Sequence, residues 1–160
     1  IPVGLFRTTP RGRLVSANPA FLRMFGYETE AHLQKAAVSA FYREPRDREA
    51  FIRALERDGE VAAMEIAFLR RDGTLFWGAI SARKVLDETG DFIYVDGILE
   101  DITARRRMAG ALRESERRFR HLVENVPVGM CILREDGHPV FVNPAQARLV
   151  GRTAEGPSQF

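Results

Sequence analysis

An α+β fold, one antiparallel sheet with its helices on one face, is predicted by three features of the sequence. Two short apolar segments flank a proline–glycine turn at the start. A group of short helical segments comes next. Three longer segments of alternating polarity, joined by turn signals, then follow.

The first two strands are expected at Leu5 to Thr8 and Leu14 to Ala17, around the turn Pro10-Arg11-Gly12. Asn18 then has the chemistry of a helix N-cap. Pro19 sits at the first helical position, where its missing N–H costs nothing. Phe21, Leu22, Met24 and Phe25 give this helix a buried face, and Gly26 can take the left-handed conformation that ends it. Thr29 to Ala37 can form a short helix. Asp47 to Arg57 forms a firmer one, with Phe51, Ile52 and Leu55 on one side, and Gly59 stops it.

Met64, Ile66 and Phe68 alternate with Glu65 and Ala67 in the third strand, which turns at Arg71-Asp72-Gly73-Thr74. The fourth is expected over Leu75 to Leu86, with Leu75, Trp77 and Ala79 on one face. The fifth is expected over Phe92 to Ile102, after the turn Asp87-Glu88-Thr89-Gly90.

Composition bounds the class. With 160 residues, 45% apolar and 29% charged, the chain can bury a core and is not of disordered type. A net charge of +2 does not by itself advertise a nucleic-acid partner. A single cysteine, Cys131, excludes an internal disulfide framework or a multi-cysteine metal site and fits a reducing, cytoplasmic compartment. No run of about 18 apolar residues is present, so no bilayer span or membrane contact is expected. The chain opens at Ile1 without a leader, and both ends read as cut from something longer.

An internal repeat organises the chain. Shifted by 125 positions, Pro2–Tyr27 lies without a gap on the segment from Pro127 to Arg152, and ten of 26 positions are identical. The shared residues include Pro2-Val3-Gly4, Asn18-Pro19-Ala20 and Gly26. The second copy runs from Val128 through Asn143 and Pro144 to Gly151 and ends at Phe160, too short to bury a core alone.

Several motifs in this order closely resemble the PAS family with its C-terminal PAC segment. They are Asn18-Pro19-Ala20-Phe21 through Phe25-Gly26-Tyr27, then Asp72-Gly73-Thr74 with Trp77, then Gly97-Ile98-Leu99-Glu100-Asp101-Ile102-Thr103 followed by Arg105 and Arg106. The resemblance implies a five-stranded sheet in the order 2-1-5-4-3 and a pocket between the sheet and the helices of residues 29 to 58. It divides the chain into a PAS domain at 1–104, a helical linker at 105–126 and the start of a second PAS domain at 127–160. It also implies that a histidine kinase, diguanylate cyclase or similar output domain follows in the whole protein.

In the linker, Met108, Leu112, Ser115, Phe119, Leu122 and Val126 are spaced as a heptad seam. Thr103 is expected to cap its helix and Pro127 to end it. An ordinary amphipathic helix packed on its own domain is the alternative. Met108, Leu112, Phe119 and Leu122 are therefore candidates for a parallel homodimer contact, with Ser115 and Gly110 weakening it. Arg105, Arg106, Arg107, Arg113, Arg117, Arg118 and Arg120 read as solvated flanks, partly paired with Glu114 and Glu116. They lack the aromatic interleaving of a nucleic-acid surface.

No catalytic constellation is present. His32, His121 and His138 are scattered without a second ligand at metal spacing, so no metal site is expected. In the family, haem usually takes its histidine from the helical segment before the third strand. Phe41 to Gly59 contains none, which argues against haem. Photoactive flavin members carry a reactive cysteine in a helical Asn-Cys-Arg context, which Cys131 lacks, so only non-covalent flavin stays open. The expected ligand pocket is formed by Phe41, Tyr42, Phe51, Leu55, Met64, Ile66, Phe68 and Trp77, and the expected relay by Asp101, Ile102 and Thr103. Three readings follow: a small-molecule sensor acting through the helix, a ligand-free dimerisation scaffold, and a haem or flavin redox sensor.

Overall fold

The computed structural model describes residues 3–151 and divides them at Arg106 into two units. The first holds strands β1 (Val3–Thr8), β2 (Leu14–Ala17), β3 (Glu60–Leu69), β4 (Leu75–Leu86) and β5 (Phe92–Asp101) in one antiparallel sheet of order β2-β1-β5-β4-β3. Between β2 and β3 lie α1 (Pro19–Phe25), α2 (Glu30–Leu33), a 3₁₀ turn over Val38–Phe41, and α3 (Pro45–Asp58). The segment 29–37 thus makes one helical turn with Thr29 as its N-cap, not a helix through Ala37. α3 begins two residues earlier than the apolar spacing suggested, because Pro45 is well suited to the first turn.

α1 forms as its sequence dictates. The Asn18 carboxamide oxygen accepts from the Phe21 N–H at 2.9 Å, and Gly26 closes the helix with φ of 76°. Asn18 also ties the helix to the sheet: it accepts from Leu5 N–H at 3.0 Å and donates to the Val3 carbonyl at 2.9 Å.

Register decides which side chains face the helices. Met64, Ile66 and Phe68 on β3 stand opposite Ile80, Gly78 and Phe76 on β4. One extra residue between Val61 and Met64 makes a bulge, with Ala63 at φ of 47° and its N–H bonded to Ser81 Oγ. The bulge lets Val61 and Met64 both face inward. Phe25 sits at the centre of the core, 5.2 Å from the ring of Phe76 and 4.9 Å from that of Phe41. Gly97 on β5 is required by close packing, since a Cβ there would fall 2.1 Å from the Phe6 ring.

The second unit carries the rest of α4 (Thr103–Asn125), whose first turn belongs to the first unit, then the hairpin β6 (Cys131–Leu133) and β7 (Pro139–Val142), and α5 (Pro144–Leu149). Asn143 repeats the geometry of Asn18. Its oxygen accepts from Met130 and Gln146 N–H groups and its amide donates to the Val128 carbonyl, with a further bond to that of Val123. Residues 152–160 of the expected second copy lie outside the described residues.

Candidate functional site

A cavity of about 420 Å³ lies between the sheet and the helices of the first unit. Its walls come from β1, the β1–β2 turn, the segment from α2 to α3, and β5. Phe6, Phe21, Phe25, Phe41, Phe51 and Phe68 contribute rings, while Arg11, Arg13 and Arg48 stand among the polar lining. Mostly apolar walls with a few polar groups are typical of small-molecule sites, whose volumes run roughly 300–1,000 Å³.

Five residues expected in the pocket line this cavity: Phe41, Tyr42, Phe51, Leu55 and Phe68. Met64 and Ile66 point to the same side of the sheet but are absorbed in the core beside it. Trp77 is elsewhere. It pairs with Ala67 on the opposite face of the sheet, because Phe76, Gly78, Ile80 and Ala82 take the inward positions of β4. Sequence reasoning missed Phe6, Val95 and Leu99, which reach the cavity from β1 and β5; their alternation with Arg7, Asp96 and Glu100 was the available signal.

Tyr42 is a half-buried polar residue of this wall. Burial pushes its phenol up to about 12, against the opposing pull of the Arg48 charge. The phenol therefore stays protonated, a donor, across the physiological range. Its ring packs 5.1 Å from that of Phe68.

β5 leads from the cavity to the base of α4. Val95 and Leu99 line the cavity, and Asp101 ends the strand. Arg70 spans this corner: its guanidinium bonds Asp101 Oδ2 at 2.7 Å and the Met24 carbonyl, and lies 4.3 Å over the Phe76 ring. Asp101 Oδ1 accepts the Thr103 N–H at 2.9 Å. Burial alone would raise the Asp101 carboxyl, but hydrogen bonds from Thr103 and the Arg70 charge outweigh it and hold the group below its ordinary range.

Thr103 does not cap α4 with its hydroxyl as expected. That oxygen accepts the Trp77 N–H at 2.9 Å, and the Ile102 N–H donates to the Trp77 carbonyl at 2.8 Å. Ile102 is 1% exposed. The helix consequently starts at Thr103, two residues before the linker boundary expected at 105. Arg106 then stacks 3.8 Å from the Trp77 ring and pairs with Glu65 at 2.6 Å. Trp77 thus meets the start of α4 through its main chain and its indole.

No histidine or cysteine lines the cavity, and His32 is exposed on α2. Haem ligation and a flavin–cysteine adduct therefore do not fit these walls. Cys131 is exposed on β6 in the second unit. Among the described residues no group of three His, Cys, Asp or Glu side chains could hold a metal, and no helix is long and apolar enough to cross a membrane.

Comparison with known proteins agrees with this architecture. The chain is 31% identical over 113 residues to the sensor protein FixL of Bradyrhizobium diazoefficiens, a match covering 68% of this chain and 22% of that protein. The chain therefore spans less than a quarter of that relative's length. Among solved structures, an RNA-binding light-oxygen-voltage receptor is 27% identical with a TM-score of 0.59, covering 72% of this chain and 34% of that one. A sensory box histidine kinase/response regulator from Burkholderia thailandensis is 25% identical with a TM-score of 0.58, covering 76% and 92%. A family model described as the PAS fold matches residues 117–158. A second, described as the PAS domain, matches residues 2–104, so the chain belongs to the PAS domain family.

Proposed function

We propose that the chain is the sensing and relay module of a larger cytoplasmic signalling protein of the sensor histidine kinase kind. A small molecule occupies the cavity, and its presence shifts the population of two arrangements of the β5–α4 corner. One observation carries this reading: β5 lines the cavity with Val95 and Leu99 and continues without a break through Asp101, Ile102 and Thr103 into α4. The likeness to FixL and to the Burkholderia kinase supports the class of output. The fragment would sense and transmit, and catalysis would belong to another domain.

α4 would carry the change onward as one strand of a parallel homodimer. Met108, Leu112, Phe119 and Leu122 are 73%, 61%, 54% and 65% exposed, an apolar row that a second copy's helix would cover. A second PAS domain beginning near residue 127 would then receive the motion, in keeping with the family match at 117–158.

Native mass spectrometry and visible absorbance of the purified protein test the reading together. The expected result is a colourless dimer carrying a co-purifying small molecule, or one that takes up added ligand. A clean dimer that takes up nothing favours the scaffold instead. A visible haem or flavin spectrum would overturn the non-chromophoric reading.

A further inference from the structure

The cavity has aromatic inner walls and a basic rim. Four basic side chains, Arg11, Arg13, Arg48 and Lys84, stand in its walls against one acidic residue, Glu56. Lys84 is engaged, since its Nζ donates to the Glu56 main-chain carbonyl at 3.0 Å. Arg48 differs. It is half-buried near the start of α3, and its side chain makes no ion pair or hydrogen bond among the described residues.

The Tyr42 hydroxyl also lacks a hydrogen-bond partner among the described residues. No side-chain polar atom there is sealed from solvent without a partner, so this hydroxyl opens on to accessible space. Tyr42 and Arg48 line the same cavity, and the Arg48 charge pulls against the raised Tyr42 phenol. On the other side, the Arg48 Nη2 closes on the β1–β2 turn, 3.2 Å from where a Cβ on Gly12 would stand.

A guanidinium drawn partly out of water without a counter-charge has lost hydration and gained nothing in return. The fork of a guanidinium matches the two oxygens of a planar carboxylate, and a neutral phenol adds a third donor. Beside them, Phe41, Phe51 and Phe68 supply ring surfaces for an aromatic body. Resting on the sensing reading of this cavity, we infer that its ligand is a small aromatic carboxylate. The ring lies among the phenylalanines, and the carboxylate is bonded to Arg48 and the Tyr42 hydroxyl.

Calorimetric titration of the purified chain with matched acid and amide pairs tests this: benzoate and benzamide, cinnamate and cinnamamide, naphthoate and naphthamide. At least one acid should bind about tenfold or more tightly than its amide. Arg48→Gln should erase that preference by weakening the acid far more than the amide, and Arg48→Lys should restore part of it. Tyr42→Phe should weaken the acid several-fold, and it carries the test alone if Arg48→Gln fails to fold. Equal affinity for acid and amide, or a preference that survives both variants, overturns the carboxylate assignment and leaves the sensing cavity standing. Binding of no acid likewise overturns the carboxylate assignment, whereas binding undiminished in a cavity-filling Leu55→Trp variant puts the ligand outside the cavity and overturns the sensing reading of it.

Discussion

Replacing Phe76 with alanine is expected to destabilise the first unit by about 3–5 kcal/mol, the cost of emptying a fully buried aromatic site. Phe76 is 0% exposed. Its ring lies 5.2 Å from that of Phe25, edge on, and 5.5 Å from that of Phe68, stacked. The Arg70 guanidinium covers it at 4.3 Å. The void cannot collapse easily, because these neighbours are anchored on α1, β3 and the β3–β4 turn. Phe76→Leu keeps most of the volume and should cost less than half as much. Urea unfolding of both variants measures this; a loss below about 1 kcal/mol for the alanine variant would mean that the core is not centred here.

Asp101→Asn is expected to have the second-largest effect. The substitution keeps the shape and an acceptor for the Thr103 N–H, but removes the charge that Arg70 faces at 2.7 Å. Arg70 would then be left half-buried over Phe76 with only the Met24 carbonyl. A loss of about 1.5–3 kcal/mol at neutral pH follows for hydrogen bonds of this charged kind.

The sign of its pH dependence is fixed by the direction of the shift. The Asp101 carboxyl is held lower in the folded chain than in the unfolded one. Its contribution is therefore complete above the ordinary carboxylate range and disappears as pH falls through the folded-state value. The wild-type advantage over Asp101→Asn should shrink on acidification below about pH 4. Asp96, held down by its hydrogen bonds from Arg7, titrates with the same sign, but it is common to both proteins and cancels in the difference. Unfolding curves across that range check the point. A gap independent of pH would show that the charge of Asp101 contributes nothing.

The local punctuation of the fold was legible in the sequence because its causes are local. Asn18, Pro19 and Gly26 act within one helix, and the turn at Asp72-Gly73-Thr74 closes with Thr74 N–H and hydroxyl on the Asp72 carboxylate. Strand order was legible through the family resemblance, since nothing within a single strand says that β5 lies between β1 and β4.

The parity of β4 was not legible. Phe76 and Trp77 are adjacent aromatics, and both faces of the strand carry apolar residues. Bulk suggested Trp77 as the inward member, yet the inward row includes the small residues Gly78 and Ala82. Gly78 has no room for more, since a Cβ there would meet Leu99 at 2.7 Å and Phe68 at 2.8 Å. Crowding between strands set that choice, and crowding is not visible along one strand. Thr103 was misread for a similar reason. Its hydroxyl looked like a local cap, whereas its partner, the Trp77 N–H, is 26 residues away. Nothing in the sequence sets Arg48 apart from the charges around the start of α3; only the cavity distinguishes it.

Coupling between the cavity and the base of α4 is the claim on which the functional account turns. Amide hydrogen exchange at Trp77, Ile102 and Arg106 measures it most directly. Those three N–H groups bond the Thr103 hydroxyl, the Trp77 carbonyl and the Ile102 carbonyl and so report whether the corner opens. Saturating the cavity with the tightest-binding carboxylate of the panel should change exchange at these amides several-fold. Protection that changes only at the cavity walls, with these three amides unmoved, would contradict it.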